Sequence, residues 1–169
     1  ISVSGGSIDG LTAVSAKVYT AVFTPSENST ASGLISVSSG AFTDAAGNDN
    51  TAGSLTLAVD TVVPTISITT SDNALKAGET ATITFTLSES STDFTAEDVN
   101  VSGGTITDFS GSGTSYTATF VPATNSTADG VITVSSDKFT DAAGNANASG
   151  SIMLSVNTGG TADPTAPTI

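Results

Sequence analysis

Two identical heptapeptides, Phe42-Thr-Asp-Ala-Ala-Gly-Asn48 and Phe139-Thr-Asp-Ala-Ala-Gly-Asn145, make this chain a tandem array. An internal period confines the fold to a unit that recurs, and such arrays generally space or bind rather than catalyse. The surroundings repeat as well. Ile1-Ser-Val-Ser-Gly-Gly6 aligns with Val99-Asn-Val-Ser-Gly-Gly104, Tyr19 with Tyr116, and Pro25-Ser-Glu-Asn-Ser-Thr-Ala-Ser-Gly33 with Pro122-Ala-Thr-Asn-Ser-Thr-Ala-Asp-Gly130. Further on, Asp60-Thr-Val-Val-Pro64-Thr-Ile66 matches Asp163-Pro-Thr-Ala-Pro167-Thr-Ile169, after an insert at Asn157-Thr-Gly-Gly-Thr-Ala162. The organisation expected is the C-terminal part of a repeat over residues 1–59, a complete repeat over 60–157, and a linker with the start of a further repeat over 158–169. The chain opens at Ile1, so it is expected to be a window on a longer polypeptide that carries any targeting signal elsewhere.

The residues within each repeat point to strands. Ser, Thr, Val, Ala and Gly dominate, and β-branched residues alternate with polar ones. In the complete repeat, strands are expected near residues 65–69, 80–87, 99–102, 105–109, 115–121, 131–135 and 151–156. Seven short strands separated by turn signals suggest an all-β, immunoglobulin-like β-sandwich, here without cysteine or tryptophan. Along Ala81-Thr-Ile-Thr-Phe-Thr-Leu87, alternation puts Ile83, Phe85 and Leu87 on one face. With Tyr116, Ala118, Phe120, Ile132, Val134, Ile152 and Leu154 they form the expected core. The first repeat lacks counterparts of the first two strands. Either the longer chain supplies them or another subunit does so by strand addition.

Composition narrows the function. With 3 Lys and Arg against 16 Asp and Glu, the net charge is −13, which repels phosphate backbones and anionic lipid. No nucleic acid partner and no membrane insertion are expected, and no apolar run approaches the roughly 20 residues of a membrane helix. Histidine and cysteine are both absent. A serine or threonine nucleophile would therefore need Lys or a carboxylate as its base, and few aromatics are available to line a sugar cleft. The expectation is that the chain is not an enzyme.

Cation binding makes better use of the acidic residues. In a sandwich of this strand order, Asp60, then Glu89, Asp93, Glu97 and Asp98, then Asp137, Asp141 and Asn145 gather at one pole from three stretches. Carboxylates so placed repel unless a cation lies among them, and oxygen ligands in irregular loops favour Ca2+ over Mg2+. Glu27 and Asn28 are offered at the facing pole of the first repeat. Bland readings stand beside these. Asp-Ala-Ala-Gly-Asn is also a plain turn, with Asp141 capping backbone N–H groups and Gly144 at positive φ; Glu27 is also an exposed loop carboxylate. Asn28, Asn100, Asn125 and Asn147 begin Asn-x-Ser/Thr triplets, which Ser/Thr-rich chains produce by chance. Exposed Thr rows could serve carbohydrate or ice, but exposed strands favour Thr in any case.

Four stretches, taken together, resemble the bacterial Ig-like repeats of large surface adhesins and biofilm-associated proteins secreted by the type I route. They are Asp60-Thr-Val-Val-Pro64-Thr, Phe85-Thr-Leu-Ser-Glu89, Phe94-Thr-Ala-Glu-Asp98-Val-Asn-Val-Ser-Gly-Gly104 and Phe139-Thr-Asp-Ala-Ala-Gly-Asn145. The resemblance implies a sandwich used as an extracellular stalk segment, holding an adhesive domain away from the cell and stiffened by calcium where repeats join. It points to Asp60, Glu89, Asp141 and Asn145 as ligands, with Asp163 at the next joint and Asp44 and Asn48 at the previous one. The implied partners are neighbouring repeats of the same parent chain. The alternatives are a filament subunit completed by strand donation between chains and a carbohydrate-binding module.

Overall fold

The computed structural model describes residues 1–159, which form two compact units divided between Val62 and Val63. Every regular element but one short 3-10 turn is a strand, and the second unit is an immunoglobulin-like β-sandwich.

The first unit holds β1 (Ser2–Ser4), β2 (Gly6–Ser15), β3 (Val18–Pro25), β4 (Gly33–Val37) and β5 (Gly53–Leu57). They pair antiparallel as a three-stranded sheet in the order β1-β4-β5 and a β2-β3 hairpin. Much of its apolar surface faces outward. Leu11, Val18, Tyr19, Val22 and Phe42 are all more than half exposed.

The second unit contains β6 (Ile66–Thr70), β7 (Ala74–Lys76), β8 (Ala81–Ser91), β9 (Val99–Ser102), β10 (Gly104–Pro122), β11 (Gly130–Val134) and β12 (Gly150–Asn157). One sheet runs β10-β8-β6 and the other β7-β12-β11-β9. The strands expected at 105–109 and 115–121 are a single element, β10, that doubles back. Gly104 lies against Val121 and Gly111 against Ser115, and the reversal uses Gly111 (φ +137°) and Gly113 (φ +65°), backbone states in which a side chain is strained. The short β7 was not anticipated. It lies parallel to β12, with Leu75 opposite Val156.

Alternation set the core as expected. Ile83, Phe85, Leu87, Tyr116, Ala118, Phe120, Ile132, Val134 and Leu154 are buried between the sheets, joined by Ile66, Leu75, Phe94 and Phe139. Fully burying a Phe or Ile contributes about 1.5–3 kcal/mol each. Ile152 is the exception: it is half-buried and packs at the margin of the core, while Leu154 and Val156 on the same face of β12 are buried. Phe85, Phe94, Phe109, Tyr116 and Phe139 form an aromatic cluster. Phe94 is its hub, with ring centroids 5.0 Å from Tyr116 and 5.2 Å from Phe139.

Candidate metal centre

The recurring heptapeptide builds a self-contained turn. Asp141 Oδ1 accepts from the backbone N–H of Ala143 (2.8 Å) and Asn145 (2.9 Å), and the Asn145 Nδ2 donates to Asp141 Oδ2 (2.8 Å). Gly144 takes φ +89°, which lets its N–H reach back to the Asp141 carbonyl at 3.2 Å. Asp44 and Asn48 reproduce this geometry in the first unit, with contacts of 2.8, 2.9 and 2.9 Å. The bland reading of the motif is therefore correct as far as it goes. It leaves acceptor capacity on Asp141 Oδ2, since a carboxylate oxygen carries more lone pairs than one donor uses.

The strands around that turn bring further carboxylates to it. Thr86 of β8 pairs with Ser115 and Ser91 with Gly113, so Leu87 to Ser90 bulge out opposite a single residue, Thr114. Bulges re-aim side chains beside sites, and this one carries Glu89, which belongs to the strand and not to the following loop. The bulge also receives the entering chain: Thr65 N donates to Ser88 Oγ (2.8 Å) and Ser88 N to the Thr65 carbonyl (2.9 Å). Ala148 N donates to the Pro64 carbonyl at 2.9 Å. Asp60 stands four residues before that proline, and its Oδ1 accepts from Val62 N at 3.1 Å. Asp60, Glu89 and Asp141 each offer a carboxylate oxygen, and the three oxygens lie within 4.8 Å of one another.

That spacing suits a shared calcium. Oxygens held at 2.3–2.6 Å from one ion are separated by at most about 5 Å, and an all-carboxylate set selects a hard cation. Bringing three negative charges this close costs on the order of 1–3 kcal/mol per pair near a protein surface, a repulsion that a divalent ion removes.

The other expected ligands are placed differently. Asn145 meets the cluster as a donor to Asp141. Asp98 accepts from Thr95 N (2.8 Å) and Thr95 Oγ1 (3.0 Å), closing a single turn ahead of β9. Glu27 is exposed in the turn between β3 and β4. Asp44 and Asn48 are engaged with each other in the first unit, and Asp163 lies outside the described residues.

Asp93 holds the site's frame, a role its place in the sequence does not disclose. Ser91 Oγ (2.6 Å), Thr140 N (3.0 Å) and Thr140 Oγ1 (2.8 Å) all donate to it, tying the end of β8 to the residue before Asp141. Partial burial pushes its pKa up, but the Ser91 and Thr140 hydrogen bonds outweigh that and hold the carboxyl below its ordinary 3.8. Asp141 shows the same balance, its burial outweighed by the Asn145 and Ala143 donors. In Asp44 the Asn48 side-chain hydrogen bond comes first among the causes that lower it.

A second fixture lies at the end of each last strand. Thr61 Oγ1 donates to the Ser26 carbonyl (2.7 Å) and accepts from Ser29 N (3.0 Å). Thr158 repeats the arrangement with Ala123 and Ser126. The residue that precedes the clamped threonine is Asp60 in one repeat and Asn157 in the other.

A family model described as bacterial Ig-like domain matches the chain twice, over residues 1–59 and 60–158. The chain belongs to that family. Its second Ig-like repeat, as matched, starts at Asp60, so all three clustered carboxylates fall within one repeat. Neither the curated proteins nor the solved structures yield a match to it. Bacterial Ig-like domains are in general structural, non-enzymatic and typical of the cell surface. Among the described residues no helix is long and apolar enough to cross a membrane.

Proposed function

We propose that this chain is a spacer: tandem Ig-like repeats in the extracellular stalk of a bacterial surface adhesin, serving attachment or biofilm formation, with Ca2+ held by Asp60, Glu89 and Asp141 where one repeat follows another. The observation that carries the proposal is the meeting of those three carboxylates within 4.8 Å, in a chain whose net charge of −13 already opposes crowding of like charges. Asp60 is on the connecting segment, while Glu89 and Asp141 are set by the β8 bulge and the 139–147 turn. A cation bound to all three would therefore restrain the segment that joins two repeats.

Millimolar extracellular calcium would fill a site with a dissociation constant of about 10⁻⁴ to 10⁻³ M, whereas the cytosol would leave it empty. The repeats would then stay loose before export and stiffen outside. Thermal melts in millimolar CaCl2 and in chelator test the proposal. Calcium is expected to raise the midpoint of the second repeat by a few degrees, corresponding to about 1–2 kcal/mol, and Glu89→Gln to abolish the shift. Identical midpoints in calcium and chelator would remove the cation from the account.

A further inference from the structure

The chain enters and leaves the second unit through two fastenings, and each engages both sheets. At the entry, Thr65 N donates to Ser88 Oγ and Ser88 N to the Thr65 carbonyl, which ties the incoming segment to β8 of one sheet. Ala148 N donates to the Pro64 carbonyl at 2.9 Å, just ahead of β12 in the other. At the exit, Thr158 is 6% exposed and is bonded to the connection that runs from β10 to β11, and so from one sheet to the other. Its N–H donates to the Ser126 carbonyl (2.8 Å), its Oγ1 accepts from Ser126 N (2.9 Å), and its hydroxyl donates to the Ala123 carbonyl. Thr61 makes the same set of bonds with Ser26 and Ser29, so the exit belongs to the repeat and not to one copy of it.

We propose that these fastenings, with the parallel β7–β12 pair between them, make the second repeat a tension-bearing element that resists a pull on the chain ends in shear. The two fastenings stand at opposite ends of β12. Gly150 at its start lies against Ile66, and Thr158 follows its last residue, so the 8 residues of β12, about 25 Å of extended chain, separate entry from exit. A pull from the N-terminal side draws β6 and β7 toward the entry, while a pull from the C-terminal side draws β12 toward the exit. β7 and β12 are thereby made to slide along each other. Ala74, Leu75 and Lys76 face Ser155, Val156 and Asn157, and Ser155 N donates to the Asn73 carbonyl at 2.8 Å. The evenly spaced bonds of a parallel pair stretch together when its strands slide, whereas strands peeled from one end break them one at a time.

Thr158 decides which of these two cases applies. It is where a C-terminal pull first meets the folded unit. Fastened to the connection between the sheets, it passes that pull to β10 and β11 as well as to β12; released, it leaves β12 to take the pull alone. Leu75 and Val156, 1% and 3% exposed, cover the β7–β12 bonds on the core side and keep water from replacing them as they stretch. The use of such a device rests on the reading of the chain as a spacer, but no carboxylate of the Asp60 cluster takes part in it.

The test is single-molecule stretching of the full chain in chelator, with unfolding of the second unit recognised by the release of about 300 Å of chain, against about 200 Å for the first. Because the chain has no cysteine, Ala128→Cys, on the exposed connection beside Ser126, takes a second handle at a single point. Pulled from the two chain ends, the second unit is expected to unfold at a force at least about twice that needed between residue 128 and the C-terminus, a direction that peels β12 from its exit end. Thr158→Val removes the hydroxyl and keeps the shape. It is expected to raise the end-to-end unfolding rate at a fixed force at least about tenfold, and Thr158→Ser to bring it back within about threefold of the parent. Equal forces in the two pulling directions overturn the proposal, with no change at Thr158 needed to show it. Should Thr158→Val fail to fold, that comparison decides alone; a folded Thr158→Val chain that unfolds end-to-end at the parent rate also overturns the proposal. Neither result bears on calcium, which the thermal melts test separately.

Discussion

Asn147 shows how much of a repeat a single buried amide can hold. Its Oδ1 accepts from the N–H groups of Lys138 and Phe139, and its Nδ2 donates to the carbonyls of Ser135 and Ala148. Removing it with Asn147→Ala strands four backbone groups and is expected to cost about 2–4 kcal/mol by urea denaturation. Asn50 makes the matching contacts to Phe42, Ser38 and Thr51 from a half-buried position, so Asn50→Ala should cost less. This burial also rules on one sequence feature: Asn147 opens an Asn-x-Ser triplet, yet it is 2% exposed and closed to a modifying enzyme. Asp93 and Asp141, whose pKa values are held below 3.8 in the folded chain by their hydrogen-bond donors, contribute to acid sensitivity. The unfolded chain then binds more protons as pH falls, so this stabilisation is complete above about pH 5 and is lost as pH drops through the folded values. The urea midpoint should be flat from pH 7 to about 5 and fall below about 4, with a shallower fall in Asp93→Asn. Among the acidic residues, Asp60 and Asp141 were legible from motifs that recur as Asp163 and Asp44, and Glu89 from the strand order and the family resemblance. The engagement of Asp98 was signalled too, by Thr95 three residues before it. Asp93 was not, because its partner Thr140 is 47 residues away and only the folded chain brings them together.

Strand positions were readable wherever threonine alternates with apolar residues, as along β8, and unreadable where no alternation exists. The three residues of β7 carry no period, and only its parallel pairing with β12 makes it a strand. Glu89 lies beyond the strand expected over residues 80–87; the bulge in β8 is a tertiary feature that extends the strand to Ser91. Glycines mark the other irregular points. A Cβ on Gly130 would stand 2.5 Å from Phe120 Cζ, and one on Gly104 would stand 2.4 Å from the Val121 carbonyl. Phe120 is fully buried and cannot yield, so Gly130→Ala is expected to destabilise the second repeat by about 1–3 kcal/mol. The same substitution at Gly33 meets Phe23 Cζ at 2.5 Å, but Phe23 is half-buried and can move, so calorimetry should find a smaller loss in the first unit.

For the molecule as a whole, the repeat legible in the sequence accounts for the fold, and a heavily acidic composition accounts for what the fold would need from its surroundings. A spacer has to transmit force through its connecting segments. Here Thr61 is hydrogen-bonded within the first unit and Pro64 and Thr65 within the second, and the proposed cation would be held by Asp60, Glu89 and Asp141. The central claim is that a divalent cation at those carboxylates turns this connection from a hinge into a joint. Small-angle scattering of the full chain reads that property directly, compared in millimolar calcium, in magnesium and in chelator, with Glu89→Gln as the control. The account predicts that the calcium profile fits one arrangement of the two units, that the chelator profile requires a distribution of them, and that the variant gives the chelator result in every buffer. Superimposable profiles of the unsubstituted chain in calcium and in chelator would contradict it.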